Sequence, residues 1–418
     1  MNLKSILAAA AIAAAAAGAA VPSQAADPLK IGVLFPLSGP MALIGNEAYQ
    51  AAEVARDMIN KRGGVLGRPV TYAVADAPAP TAANAEATRL IVREKVPVIA
   101  GSYASSLALA ASEVAEREGA LYWETIAVAD KITQRKYKNT IRLTFNASMM
   151  GQTAADFAKD IAGKLGKDPK DLRIAVISED SEFGQSVGDA AANQTKTLGM
   201  QLVANERYSR TVNDLSSLVL SLKAAKPDAV IATSYLNDAA LFWRQVRELD
   251  LHIPAMIGIG TGYALPDFLA ATGASADGIF DVDAPASPNV SNLPEPTQKL
   301  YAEFIEGFRA KEKRDPGPLG LIAFGGFWTL FTDVIPRAGS TDLAALRKAA
   351  YATDLPDGSL LTGAGVKLNQ IGEKEAGQNT RALISVMQWQ DGKLQVVWPQ
   401  SAANGEMRKV PLPKWSDR

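Results

Sequence analysis

The sequence predicts an α/β fold of two doubly wound, Rossmann-like lobes, and three observations predict it. Near-continuous apolar runs, the mark of strands buried on both faces of a parallel sheet, alternate with segments of helical periodicity. The alternation runs once, pauses at a basic, turn-rich segment over residues 131–139, and runs again. Roughly 390 residues remain once an N-terminal leader is set aside, more than one ordinary hydrophobic core supports.

The leader is read over residues 1–25. Lys4 supplies the positive start, residues 6–20 are apolar and mostly Ala, and Ser23-Gln24-Ala25 forms a small-x-small cleavage site. At about 15 residues the apolar stretch is short of the roughly 20 that a spanning helix needs. The expectation is a cleavable signal and an exported, periplasmic chain.

The first strand is expected at residues 29–37, interrupted only by Lys30, Gly32 and Pro36. A helix over 46–62 follows, with Tyr49, Ala52, Ala55, Met58 and Ile59 at three- and four-residue spacing and Gly63-Gly64 as its stop. Strands at 70–74, 98–100, 120–123 and 141–145 then alternate with helices at 82–94 and 105–118. The second series sets strands at 173–177, 201–206, 229–232 and 254–257 against helices at 151–165, 183–198, 214–223 and 238–249. Residues 281–296, rich in Pro, Asn and Ser, read as a linker rather than an element. Helices at 296–311, 319–336 and 342–353 come next. Asp391-Gly392, between apolar runs at 381–390 and 393–398, signals a closing β-hairpin.

Composition removes whole classes of function. With 43 Lys and Arg against 44 Asp and Glu, and no long run of one charge, nucleic acid and anionic membrane are poor partners. Beyond the leader no stretch of 18 apolar residues occurs, so the mature chain is read as not membrane-inserted. The absence of Cys excludes disulfides, thiolate catalysis, Cys-ligated metal and a lipid-attachment cysteine. A single histidine, His252, cannot build a zinc site or a Ser-His-Asp triad. Gly258-x-Gly260-x-Gly262 resembles a dinucleotide fingerprint, but its third Gly comes a residue early and Pro266 intervenes before any regular helix signal; it reads as a flexible cleft-facing loop. Glu179, Asp180 and Glu182 fall at a helix N-terminus, where the dipole favours carboxylates. No catalytic residue, metal site or cofactor is expected, and the chain is read as a non-enzyme.

Several landmarks stand in order along the chain: Ile31-Gly32-Val33, Pro36-Leu37-Ser38-Gly39-Pro40, Ile59-Asn60 before Gly63-Gly64-Val65-Leu66-Gly67-Arg68-Pro69, Ile99-Ala100-Gly101, Phe183-Gly184, Pro227-Asp228, and Asp315-Pro316-Gly317-Pro318. In these the chain resembles the periplasmic leucine/isoleucine/valine-binding protein family of ABC-importer receptors, over essentially its whole mature length. The resemblance implies the type I periplasmic binding protein fold, with two lobes joined by a hinge of three crossings. It gives lobe I residues 26–144 and 281–362, and lobe II residues 145–280 and 363–418. It also implies a monomer that clasps a small-molecule ligand in the interlobe cleft and presents it to an inner-membrane ABC permease. A sensory role on the same fold is the competing reading, and a branched-chain amino acid is the competing ligand.

Ligands of open α/β sheets lie beyond the carboxyl ends of strands. Ser105 and Ser106, with the N–H groups of the helix they begin, suit a carboxylate there, or serve as plain caps. On the resemblance, the turn Glu124-Thr125-Ile126-Ala127-Val128 lies in the cleft, with Val128 where amino acid binders carry a Thr. Tyr235 matches a ligand-contacting Tyr, and Phe183 stands where many relatives have Tyr. Ile259 stands in the loop where amino acid binders place the Glu that pairs with the ligand ammonium. Ile44 and Leu319 replace aromatic positions. Tyr103, Tyr122 and Trp123 are near in sequence, although Tyr122 and Trp123 read equally well as core. Glu124 reads as a ligand contact or a local cap, and either Glu124 or Asp283 as a substitute for the missing Glu. The cleft so read is apolar, and favours an aromatic or apolar organic acid over a standard branched-chain amino acid.

Overall fold

Strand β1 (Leu29–Phe35) is buried at every position but Lys30, because helices cover both faces of its sheet. In the computed structural model, which describes residues 27–286 and 288–418, β1 is followed by β2 (Val70–Asp76), β3 (Val98–Gly101), β4 (Leu121–Glu124) and β5 (Thr140–Arg142). These five form one parallel sheet in the order β2-β1-β3-β4-β5. Helices Ala42–Lys61 and Ser105–Glu118 are among its connections, and the later helices Glu295–Glu312, Pro318–Thr329 and Leu343–Tyr351 return to the same core. This body is lobe I. The leader read over residues 1–25 lies outside the described residues.

Lobe II is built on β6 (Arg173–Glu179), β7 (Gln201–Tyr208), β8 (Ala229–Thr233), β9 (Ala255–Ile259) and β10 (Phe280–Asp283), which pair in parallel. A two-stranded ribbon of β11 (Asp354–Leu355) and β12 (Val366–Lys367) precedes the hairpin of β13 (Ser385–Gln390) and β14 (Lys393–Trp398). The hairpin docks antiparallel on β10, giving the order β14-β13-β10-β9-β8-β6-β7 with a separate apolar cluster on each face.

The structure corrects the sequence reading in three places. Phe280–Asp283 is a strand rather than the start of a linker; its apolar residues, Phe280 and Val282, face one way and its two acids the other. Gly258-Ile259-Gly260-Thr261-Gly262 is not a flexible loop: β9 runs to Ile259 and Thr261–Ala264 is already helical, all of it buried. Gly260 has φ near +90° and a Cβ there would sit 2.7 Å from the Phe183 ring, so both conformation and space call for glycine. Finally, Pro318–Ala338 is long and apolar enough to cross a membrane, but 78% of its most apolar window is buried in the protein, as the core helix of lobe I.

Among the described residues the chain passes between the two sheets three times, after β5, after β10 and after β12. Buried polar side chains stitch the first and third passages. The guanidinium of Arg142 donates to Gln378 and to the carbonyls of Val128 and Ala129. Gln378 donates to Thr144 O at 2.9 Å, and Asn379 donates to Leu143 O at 2.8 Å. Arg142 therefore ties the hinge to the loop that lines the cleft.

Candidate functional site

The cleft edge of lobe I is organised by Glu124, at the end of β4. Its fully buried carboxylate accepts from the N–H groups of Ser102, Ile126 and Ala127 at 2.8–2.9 Å and from Tyr122 Oη at 2.7 Å. Burial raises its pKa while these donors oppose the shift. Every donor belongs to lobe I, so Glu124 shapes the turn and has no lone pair turned to a ligand. Tyr122 and Trp123 are core, the indole Nε1 donating to Gly326 O at 2.9 Å.

The loop that Glu124 holds in place forms one wall of an interlobe cavity. Lobe I contributes Tyr103, Ser105, Ile126, Val128, Leu319 and Ile322. Helix Ser105–Glu118 opens on it at Ser105, whose Oγ accepts from Ala129 N at 3.0 Å rather than capping its own helix. Leu107 N and Ala108 N donate back to Ala104 O, while the hydroxyl proton of Ser105 and the N–H groups of Ser105 and Ser106 have no acceptor among the described residues, and the positive end of the helix points to this corner.

Lobe II supplies the facing wall. Phe145, Met150 and Phe183 extend the apolar lining, and Ser234, Tyr235, Gly260, Thr261 and Asp283 bring polar groups. The lobes touch across the cleft: the rings of Tyr103 and Tyr235 are 5.9 Å apart, Asp130 N donates to Ser186 Oγ at 3.2 Å, and Lys131 pairs with Glu182 at 2.9 Å. The arrangement is closed, and the cavity left inside, about 40 Å³, holds no more than a few waters. A larger ligand enters only when the lobes part.

Asp283 is the one ionisable side chain of Asp, Glu, Lys, Arg or His type lining this cavity among the described residues. It accepts from Ala284 N at 2.7 Å and Thr261 Oγ1 at 3.1 Å, and burial pushes its pKa up to about 6. Two residues earlier on the same face, both carboxyl oxygens of the fully buried Asp281 have no partner, and burial first, then the charge of Asp283, raises its pKa well above the carboxylate range. Beneath Ser234 a chain of hydroxyls runs from Tyr263 through Ser234 and Tyr208 to Asp238, which also accepts from Tyr235 N.

Of the contacts expected from sequence, Tyr103, Ser105, Val128, Phe183, Tyr235 and Leu319 come together around the cavity. Glu124 and Ala127 do not: they are consumed in shaping the turn. Ser106 is not part of the lining, Ile259 is sealed inside β9 with Gly260 and Thr261 lining in its place, and Ile44 lines an outer groove instead. Sequence reasoning missed Phe145 and Met150, which the hinge passage brings in, and Ile322, one helical turn beyond Leu319. Ser234 was findable, since it directly follows β8 and precedes Tyr235; Asp283, already a candidate from sequence, carried its strand signal in the alternation Phe280-Asp281-Val282-Asp283.

Two α/β lobes, three hinge passages and an enclosed cleft define a two-lobed solute-binding protein that clasps a small molecule. The chain belongs to the periplasmic binding protein family, whose pattern matches residues 28–393. It is 38% identical over 384 residues to Leu/Ile/Val-binding protein homolog 7 of Brucella abortus, covering 91% of this chain and 94% of that one. Among solved structures it is similar to a leucine-binding protein of Thermotoga maritima, with TM-score 0.76 and 22% identity over 88% of this chain and 97% of the other. It is likewise similar to an ABC-transporter solute-binding protein of R. palustris in complex with benzoate, with TM-score 0.73 and 22% identity over 92% and 98%. At such identities these two structures speak for the fold.

Proposed function

We propose that this protein is the periplasmic receptor of an ABC importer, and that it binds a small organic acid with an apolar or aromatic body between its lobes without transforming it. The observation that carries the reading is the pairing of an apolar wall with a helix N-terminus at Ser105, where the Ser105 hydroxyl proton and the first two N–H groups of the helix have no acceptor among the described residues. A carboxylate at Ser105 leaves the body of the ligand against Val128, Phe145, Phe183 and Leu319, and a ligand hydroxyl can donate to Asp283. The structural relative with benzoate supports this class of ligand. The closed form is favoured only by a ligand that touches both lobes, and that difference is what a permease reads.

A second reading rests on Asp283 itself. Its carboxylate stands in a cavity whose lining holds no Lys, Arg or His among the described residues, so it suits a ligand ammonium, and the structures it resembles include a leucine-binding protein. A thermal-shift screen separates the two, because a ligand bound to the folded state raises Tm by mass action. Aromatic and aliphatic carboxylates are expected to give the largest shifts. Large shifts with leucine, isoleucine or valine, abolished in Asp283→Asn, together with none from the acids, would overturn the first reading in favour of the second.

A further inference from the structure

Tyr235 is a wall shared by two spaces. On its inner side is the cavity described above, and on its outer side a groove of about 240 Å³ opens at the mouth of the cleft. Lobe I lines this groove with Pro40, Met41, Leu43 and Ile44, a continuous apolar strip in which Leu43 is 48% exposed. Lobe II faces it with Arg210, Tyr235 and Asp238. The Arg210 guanidinium lies 5.5 Å from the centre of the Tyr235 ring and makes no ion pair among the described residues, while Arg210 N donates to Asp180 Oδ1 at 3.3 Å. Asp238 does not neutralise it: its Oδ2 is committed to Tyr208 Oη and Tyr235 N, and burial pushes its pKa up to about 7. The field of Arg210 does reach Glu179, whose carboxylate is itself taken up by Ser181 and Gly184. A cation that is in no ion pair of its own on one lobe thus faces an apolar strip on the other.

We propose that the outer groove is a second subsite of the same cleft, and that it takes a distal carboxylate of the ligand on Arg210 while the ligand's apolar body runs along Pro40–Ile44. The inference rests on the reading of the inner cavity as the seat of an organic acid, and narrows the ligand class to elongated dicarboxylates. The inner cavity is too small to hold such a body alone; the two spaces share the Tyr235 ring as a common wall, and a ligand that spans both passes that ring when the lobes part. A guanidinium is suited to the role because it binds a carboxylate through paired N–H donors and can stay stacked on an aromatic ring.

The test is calorimetric titration of the full mature chain and of Arg210→Gln with matched pairs: octanoate against suberate, and phenylpropanoate against its para-carboxylated analogue. The wild type is expected to bind each diacid about tenfold more tightly than its monoacid, and the variant to lose about that factor for diacids alone. Arg210→Lys should recover part of it. An equal loss for both ligands, as expected if Arg210 merely steers anions inward, would overturn the proposal, as would monoacid binding with no preference for diacids. If the wild type binds neither series, the inner-cavity reading falls with it. Because Arg210 holds no ion pair and loses only its contact with the Tyr235 ring, the unliganded variant is expected to unfold cooperatively within a few degrees of the wild type, which guards against misfolding as the cause.

Discussion

Glu124, at the end of β4 in lobe I, and Asp283, at the end of β10 in lobe II, are both buried carboxyl groups at the cleft edge, and the lobes use them in opposite ways. Glu124 is surrounded by donors of lobe I, from Ser102, Tyr122 and its own turn, and holds the wall from behind without lining the cavity. Asp283 has two local donors and a position in the cavity, and behind it Asp281 has none. A buried charge is tolerable when donors or a counter-charge offset its lost hydration. In lobe I the protein supplies that offset itself. In lobe II it supplies only part of it, two donors to Asp283 and none to Asp281 among the described residues. The difference separates a carboxylate that builds the site from one that faces into it.

The comparison breaks most visibly at Glu124. Glu124→Ala strands the N–H groups of Ser102, Ile126 and Ala127 inside lobe I, and is expected to cost about 3–5 kcal/mol in urea unfolding. A loss under about 1 kcal/mol would show that the turn holds without its carboxylate. Asp283 sets the next test. Its pKa rises from 3.8 unfolded to about 6 folded, so the folded state holds more protons between those values and stability falls as pH rises through that window. The share belonging to Asp283 is about 3 kcal/mol. Asp283→Asn should remove it, flattening the fall in unfolding free energy between about pH 4 and 6; an unchanged slope would mean that the group is solvated in the open protein. Asp281→Val is the smallest change. It deletes two unpartnered buried oxygens from a strand and is expected to stabilise the chain by about 1–2 kcal/mol above about pH 6. Destabilisation instead would reveal that Asp281 has a buried partner in solution.

The order of the elements was legible because each strand of a doubly wound sheet is a short apolar run and each helix has an apolar stripe, both local patterns. Helix Ser105–Glu118 begins and ends where its sequence says, at Ser105 and before Gly119 in a left-handed turn. β10 was obscured because its four residues, alternating in type, precede a Pro- and Asn-rich passage that dominates any window. The site was legible where it sits on strand ends and helix starts, as at Ser105, Phe183 and Tyr235. It was illegible where passages between lobes bring it together, as at Phe145 and Met150.

The sequence by itself determined the α/β alternation, the absence of cysteine, and membership of a two-lobed binding family, because periodicity, composition and ordered motifs are properties of the chain read in one dimension. Only the tertiary structure decided what each acid does. Glu124 and Asp283 are both acids near strand ends, and nothing local tells them apart. Their roles are set by how many donors the folded chain brings to each, and that number depends on residues close in space, some of them distant in sequence.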